Sequence, residues 1–197
     1  VGLREDAHPM SRPLIALDAD GVLLDFHLAY ASAWQRAFGA YPRERDPQAY
    51  WPIDRWDVER LDAIRRTQFR VQFDEYFWAT CPALPGAVDA CHRLVAAGFE
   101  LVCVSALEHE HGPARLRNLR ALDFPIERVI ATGNAAGERS PKADAIEELH
   151  PLAFVDDYLP YMRGVRADVH KALVLRAPNG SPNSGEELAT VSSVHDD

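Results

Sequence analysis

Five short runs of nearly unbroken apolar residues constrain this chain more than any other feature. They fall at 14–18 (LIALD), 100–105 (ELVCVS), 128–132 (RVIAT), 152–156 (LAFVD) and 172–177 (ALVLRA). A strand with one wet face alternates apolar and polar residues. A run that is apolar throughout is covered on both faces, as in a parallel sheet. Helical patterns lie between the runs. At 86–97, Val88, Cys91, Leu94 and Val95 share one stripe, and Gly98 stops it. At 113–122 the stripe is Leu116, Leu119 and Leu122, and at 142–149 it is Ile146 and Leu149. Strand and helix in alternation predict an α/β fold, a doubly wound parallel sheet of Rossmann-like type. At 197 residues, the chain can bury about 70% of its unfolded surface without a metal or disulfide staple.

One segment breaks the alternation. Residues 26–81 contain no good strand, and two stretches, 28–38 and 58–79, read as helical. In the second, Leu61, Ile64, Gln68 and Val71 form one stripe, and Phe69, Phe73 and Phe77 form another. This segment holds 13 of the 18 aromatic residues, including all four tryptophans. It reads as a helical subdomain inserted into a core made of 1–25 and 82–197. The tail after Ala177 opens with turn residues. A short helix capped by Ser184, with Glu186 and Glu187 in its first turn, is expected there, followed by a frayed end.

Charge and cysteine content narrow the function class. The net charge of −9 opposes the phosphate backbone, so nucleic acid is not an expected partner. No apolar run approaches the roughly 18 to 20 residues of a membrane span, and the polar opening VGLREDAHPMSRP has no signal-peptide core. Cys81, Cys91 and Cys103 are odd in number and form no CxxC pair. Buried thiols in a reducing cytoplasm are the expectation.

The chemistry is concentrated at strand ends. The first run passes into LDADGVLLDF, so Asp18 and Asp20 follow a buried strand where an open parallel sheet binds its ligands. Residues two apart on an extended backbone point the same way. Two acids there are costly unless a cation or proton compensates. The fourth run ends in Asp156 and Asp157, which need a counter-charge too. An all-oxygen donor set suits Mg²⁺, which keeps some waters and takes a substrate phosphate oxygen. Ser105 closes the second run; its hydroxyl and the backbone N–H of Ala106 can bind an anion. Lys142 is one of only two lysines beside 19 arginines, and it opens a helix, where the dipole disfavours a cation. Taken alone, Ser105 reads as an ordinary strand end, and Lys142 is as compatible with a solvated surface lysine.

Together, DADGV, Ser105, Lys142 and the Asp156–Asp157 pair occur in the order of the four signature motifs of the haloacid dehalogenase-like hydrolases, which residues 14–176 resemble. The segment 26–81 lies where that superfamily inserts a helical cap. The resemblance implies Asp18 as a nucleophile toward phosphorus and Asp20 as the acid and base. It implies Mg²⁺ held by the Asp18 carboxylate, the Asp20 carbonyl and the acid pair, with Asp157 the first choice as direct ligand and Asp156 beside it. Ser105, Ala106 and Lys142 would bind the phosphoryl oxygens. Members that cleave carbon–halogen bonds generally lack an acid at the position of Asp20, so a Mg²⁺-dependent phosphatase acting on a small phosphorylated metabolite is expected. Ser105 stands where Thr is commoner, and the Asp-Asp ending departs from the frequent GDxxxD form. A regulatory phospho-ligand-binding protein, a phosphotransferase and a dehalogenase on the same fold are the alternatives.

In the inserted segment, Tyr41, Tyr50, Trp51, Trp56, Tyr76 and Trp78 are candidates to stack on a substrate, and Arg65, Arg66 and Arg70 to hold a second anion. Packing within the segment is the competing use of the same aromatics. His109-Glu110-His111 lacks zinc spacing and reads as a solvated loop, and His8 and His195 fall in tails.

Overall fold

The computed structural model describes residues 12–134 and 137–196; the polar N-terminal stretch with His8 lies outside them. In chain order the elements are β1 (Leu14–Leu17), α1 (Phe26–Phe38), α2 (Pro52–Arg55), α3 (Ala63–Arg70), α4 (Glu75–Ala79), α5 (Ala87–Ala96), β2 (Glu100–Ser105), α6 (Gly112–Ala121), β3 (Val129–Ala131), α7 (Ala143–Leu149), β4 (Ala153–Asp156), β5 (His170–Leu175) and β6 (Ser193–Asp196). The strands form one sheet in the order β3-β2-β1-β4-β5-β6, and every pairing is parallel. The order reverses between β1 and β4, so the crevice beyond their carboxyl ends is the topological switch point.

The continuous apolar runs are explained by two cores, one on each face. Ile15, Leu17, Leu101 and Cys103 face one cluster, while Ala16, Val102, Val104, Phe154 and Leu173 face the other. The first cluster runs without a break into the inserted segment. Trp34, Phe69 and Phe77 are buried in it with Leu23, Leu24 and Leu119, and Phe26, Tyr30, Phe38 and Phe73 pack around them. Edge-to-face contacts link these rings, for example Tyr30 to Phe69 at 5.0 Å and Phe26 to Phe77 at 5.7 Å. Most of the segment's aromatics are therefore packing residues shared with the sheet. The chain leaves the sheet beside the point where it returns: Asp25 N–H donates to the Pro82 carbonyl at 2.8 Å, and Leu84 N–H to the Leu23 carbonyl at 2.9 Å.

Several elements differ from the sequence reading. The expected helix over 58–79 is two helices. Asp62 and Asp74 accept from the N–H groups of Arg65 and Phe77, so each caps a new start inside what looked like one pattern. Phe69 and Phe77 are buried, but Ile64 and Val71 of the other stripe are 81% and 63% exposed. Helix α2 begins at Pro52, a residue suited to a first turn. Through Asp196 the tail is paired rather than frayed. A 3-10 turn over Glu186–Thr190 follows Gly185 rather than a Ser184 cap, and β6, with His195 in it, pairs along β5. An edge strand held by backbone pairing needs no apolar run, so its polar sequence hid it. All three cysteines are free thiols; Cys91 and Cys103 are buried as expected and Cys81 is buried as well, and burial pushes Cys91 and Cys103 up to about 12. Among the described residues no helix is long and apolar enough to cross a membrane.

Candidate active site

Because every strand is parallel, the residues that end β1, β2, β4 and β5 lie along one edge of the sheet. Register pairs Leu17 with both Cys103 and Val155, and Asp156 with Leu173. Asp18, Ser105, Asp157 and Arg176 follow or close those strands and line a cleft of about 360 Å³. Asp20, Gly21 and Ala106 line it too. The remaining wall is largely aromatic: Phe26, Tyr50, Trp51, Trp78, Tyr158 and Tyr161.

Carboxylate oxygens of Asp18, Asp156 and Asp157 lie within 4.8 Å of one another, and all three residues are buried. Lys142 is fully buried between two of them, its Nζ 2.7 Å from Asp18 Oδ1 and 2.6 Å from Asp156 Oδ2. The sequence reading placed this ammonium on phosphoryl oxygens; in the structure it joins Asp18 to Asp156 and does not line the cleft. Its place just before α7 is stabilised by these two acids, which outweigh the unfavourable helix dipole. Tyr161 stacks beneath the same ammonium, with its ring centre 4.5 Å away.

The two acids of the pair are used differently. Asp156 spends both oxygens, one on Lys142 and one on the Tyr158 N–H at 2.9 Å. Among the described residues Asp157 forms an ion pair with Arg176 alone, whose Nη1 is 3.6 Å from Oδ2. Burial and the charges of Asp156 and Asp18 push the Asp157 carboxyl well above the usual range. Burial also raises Asp156, against the opposing pull of Lys142. Three acids sharing one close lysine leave negative charge uncompensated, and an all-carboxylate donor set of this kind fits a hard divalent cation.

Gly21 shows how tightly the two acidic stretches meet. Its φ of +88° is a left-handed conformation, and a Cβ there would lie 2.2 Å from Asp157 Oδ2. Only glycine satisfies both demands.

Asp20 is held by a residue that sequence reasoning missed. Arg115, fully buried on α6, donates from one Nη2 to Asp20 Oδ1 at 2.8 Å and Oδ2 at 3.0 Å. Trp78 lies over the guanidinium at 5.0 Å, so the inserted segment supports this pair from above. Burial raises the Asp20 carboxyl and the Asp18 charge adds to it, while Arg115 opposes both. A buried arginine breaks the apolar stripe of α6 between Ala114 and Leu116, which was the available signal.

Of the candidate stacking residues, Tyr50, Trp51 and Trp78 reach the cleft; Tyr41, Trp56 and Tyr76 do not. Trp56 is buried and donates to the His27 carbonyl, Tyr41 packs on Trp56, and Tyr76 receives Arg36. Arg65 pairs with Glu59, Arg66 donates to the Leu61 carbonyl, and Arg70 is exposed; none of the three lines the cleft. His27 does line it, but burial pulls its pKa down to about 4, so the imidazole is neutral at pH 7. His109–His111 forms a 3-10 turn rather than a wholly solvated loop, with His111 stacked on Trp78.

No family model matches the sequence, and no curated protein matches it. Solved structures do. A hydrolase of the haloacid dehalogenase family from Deinococcus radiodurans R1, solved with bound phosphate and sodium, is 16% identical with a TM-score of 0.61, covering 95% of this chain and 92% of that one. A haloacid dehalogenase-like family protein from Streptococcus pneumoniae is 12% identical with a TM-score of 0.61, covering 94% of each chain. An L-2-haloacid dehalogenase is 16% identical with a TM-score of 0.57, covering 93% of this chain and 94% of that one. At such identities the likeness is one of fold.

Proposed function

We propose that this chain, which has the fold of the haloacid dehalogenase-like hydrolases, is a divalent-metal-dependent phosphomonoester hydrolase acting on a small phosphorylated metabolite. The observation that carries the reading is the convergence of Asp18, Asp156 and Asp157 around one point, with Asp20 in the same cleft.

The residues support a two-step transfer. Lys142 and the Ala19 N–H, each 2.7 Å away, both engage Asp18 Oδ1, which leaves Oδ2 as its nucleophilic oxygen. Attack on phosphorus forms the Asp18–phosphoryl bond and breaks the bond to the leaving oxygen, which takes a proton from Asp20. Asp20 then removes a proton from water as that water attacks phosphorus, and Asp18 departs as a carboxylate. Arg115 holds Asp20 in place for both transfers. The Ser105 hydroxyl and the Ala106 N–H, at the end of β2, are the protein donors for the phosphoryl oxygens. Asp18, Asp157 and the Asp20 carbonyl would hold Mg²⁺, with Asp156 behind them; when bound it neutralises charge on the transferring phosphoryl group. The free Asp157 oxygens favour it over Asp156 as the direct ligand.

The second acid distinguishes this reading from dehalogenation, in which the halide leaves without a proton. The test is hydrolysis of para-nitrophenyl phosphate with and without Mg²⁺. Chelator-sensitive turnover is expected, with a loss of about 10³-fold or more in Asp18→Asn. Full activity in Asp18→Asn, or halide release from a 2-haloacid without phosphatase turnover, would overturn the assignment.

A further inference from the structure

Arg176 is the one described cation that lines the cleft, and the hydrolytic scheme does not use it. It follows β5 directly and its side chain is only 10% exposed, yet it makes no hydrogen bond among the described residues. Its Nε is fully buried without a partner. The Asp157 carboxylate stands 3.6 Å from Nη1, beyond the roughly 2.7–2.9 Å of a charge-assisted hydrogen bond. A guanidinium carries five donors in a planar fork, so a buried one left this empty is costly unless something else fills it. Among the described residues nothing does: no oxygen accepts a hydrogen bond from it, and the Tyr50 hydroxyl that lines the same cleft is directed to the Asp157 carbonyl.

We propose that Arg176 binds a second anionic group of the substrate, so that the cleft selects phosphorylated compounds carrying a carboxylate or a further phosphate. The inference rests on the phosphatase reading of the site and narrows its substrate class. The strand-end position matters. Asp18 follows β1 and Arg176 follows β5, with β4 between them; the register sets Asp18 level with Leu173, so two strand spacings of about 4.8 Å and three residues of rise of about 3.3 Å put their backbones about 14 Å apart. A short two-headed metabolite spans that distance once the arginine side chain reaches in. The aromatic wall supplies apolar surface for the carbon skeleton between the two anions.

Non-hydrolysable phosphonates test this separately from turnover. Calorimetry with Mg²⁺ present would compare propylphosphonate with 3-phosphonopropionate and with propane-1,3-bisphosphonate. The wild type is expected to bind at least one two-headed compound tenfold or more tightly than propylphosphonate, and which of the two wins identifies the second group. In Arg176→Gln that ratio falls to about one, and Arg176→Lys restores part of it. Arg55 borders a neighbouring recess that Arg176 also touches, so Arg55→Gln is the positional control. A wild-type ratio near one overturns the inference, as does an unchanged ratio in Arg176→Gln. So does loss of discrimination in Arg55→Gln alone. If Arg176→Gln does not fold, judged by its circular dichroism, Arg176→Lys decides: a ratio there equal to that of the wild type overturns the inference. Absence of para-nitrophenyl phosphate turnover alongside tight two-headed binding would instead sink the phosphatase reading and leave Arg176 assigned.

Discussion

Arg115 and Gly21 show how much of this site depends on single residues that carry no chemistry of their own. Arg115 has no access to solvent, and its pairing with half-buried Asp20 is the kind of ion pair whose loss leaves a charge uncompensated. Arg115→Gln is expected to cost about 3 kcal/mol in denaturant unfolding, the low end of the range for a buried pair because Asp20 still meets some water. If Arg115 positions Asp20, the same variant lowers kcat about 10²-fold with little change in KM. A proportionate rise in KM would instead assign it to substrate binding. Gly21→Ala combines an unfavourable φ with a Cβ on the Asp157 carboxylate. It is expected to destabilise the protein by about 1–3 kcal/mol and to weaken Mg²⁺ binding, read by calorimetry.

At the scale of elements, the tail after β5 is part of the site rather than an appendage. Asn183, buried behind the Asp157 turn, accepts from Leu159 N–H at 2.8 Å and donates to the Asp157 carbonyl at 2.7 Å. The neighbouring residues 178–180 hold the 48–51 stretch of the inserted segment. Tyr50 N–H donates to the Asn179 carbonyl, Asn179 N–H to the Gln48 carbonyl, and Trp51 Nε1 to the Gly180 carbonyl. The tail thus ties Tyr50 and Trp51 of the aromatic wall to the turn that carries Asp157. Asn183→Ala leaves the Leu159 N–H without a partner and the Asp157 carbonyl with Tyr50 alone, a loss of about 1–3 kcal/mol. Thermal unfolding should show a drop of several degrees, and Mg²⁺ affinity should fall with it. An unaltered Tm would mean that the Asp157 turn holds itself.

For the whole molecule, the crowded acids make stability depend on pH and metal. Burial pushes Asp156 up to about 7, and Asp157 rises as well, from ordinary values near 4. Between those limits the folded state binds more protons than the unfolded state. Metal-free protein should therefore lose stability as pH rises from about 4 through 7. The surface carboxylates paired with arginines, such as Asp168 and Glu187, are lowered instead and oppose this trend more weakly, being exposed. Mg²⁺ at a hundredfold excess over its Kd adds about 2.7 kcal/mol at neutral pH. Asp157→Asn should raise the Tm of metal-free protein at pH 7 by a few degrees while abolishing the Mg²⁺-dependent gain. Urea unfolding across pH, with and without Mg²⁺, checks both signs.

The alternation of buried strands and helices, the parallel sheet and the placing of Asp18, Asp20, Ser105 and the Asp156–Asp157 pair at strand ends were all written locally. Each is a pattern within about ten residues, because burial on a sheet or helix repeats along the chain itself. The partners of those acids were not. Arg115, Arg176 and the contacts of Lys142 follow from which strands are neighbours, and 19 arginines look alike until the chain is folded. Strand β6 and the split of the 58–79 helix escaped for a related reason: backbone pairing and aspartate capping decided them, with no change in apolar pattern to announce it. Local periodicity encodes what each element buries, whereas the match of one charge to another across 95 residues of chain exists only in three dimensions.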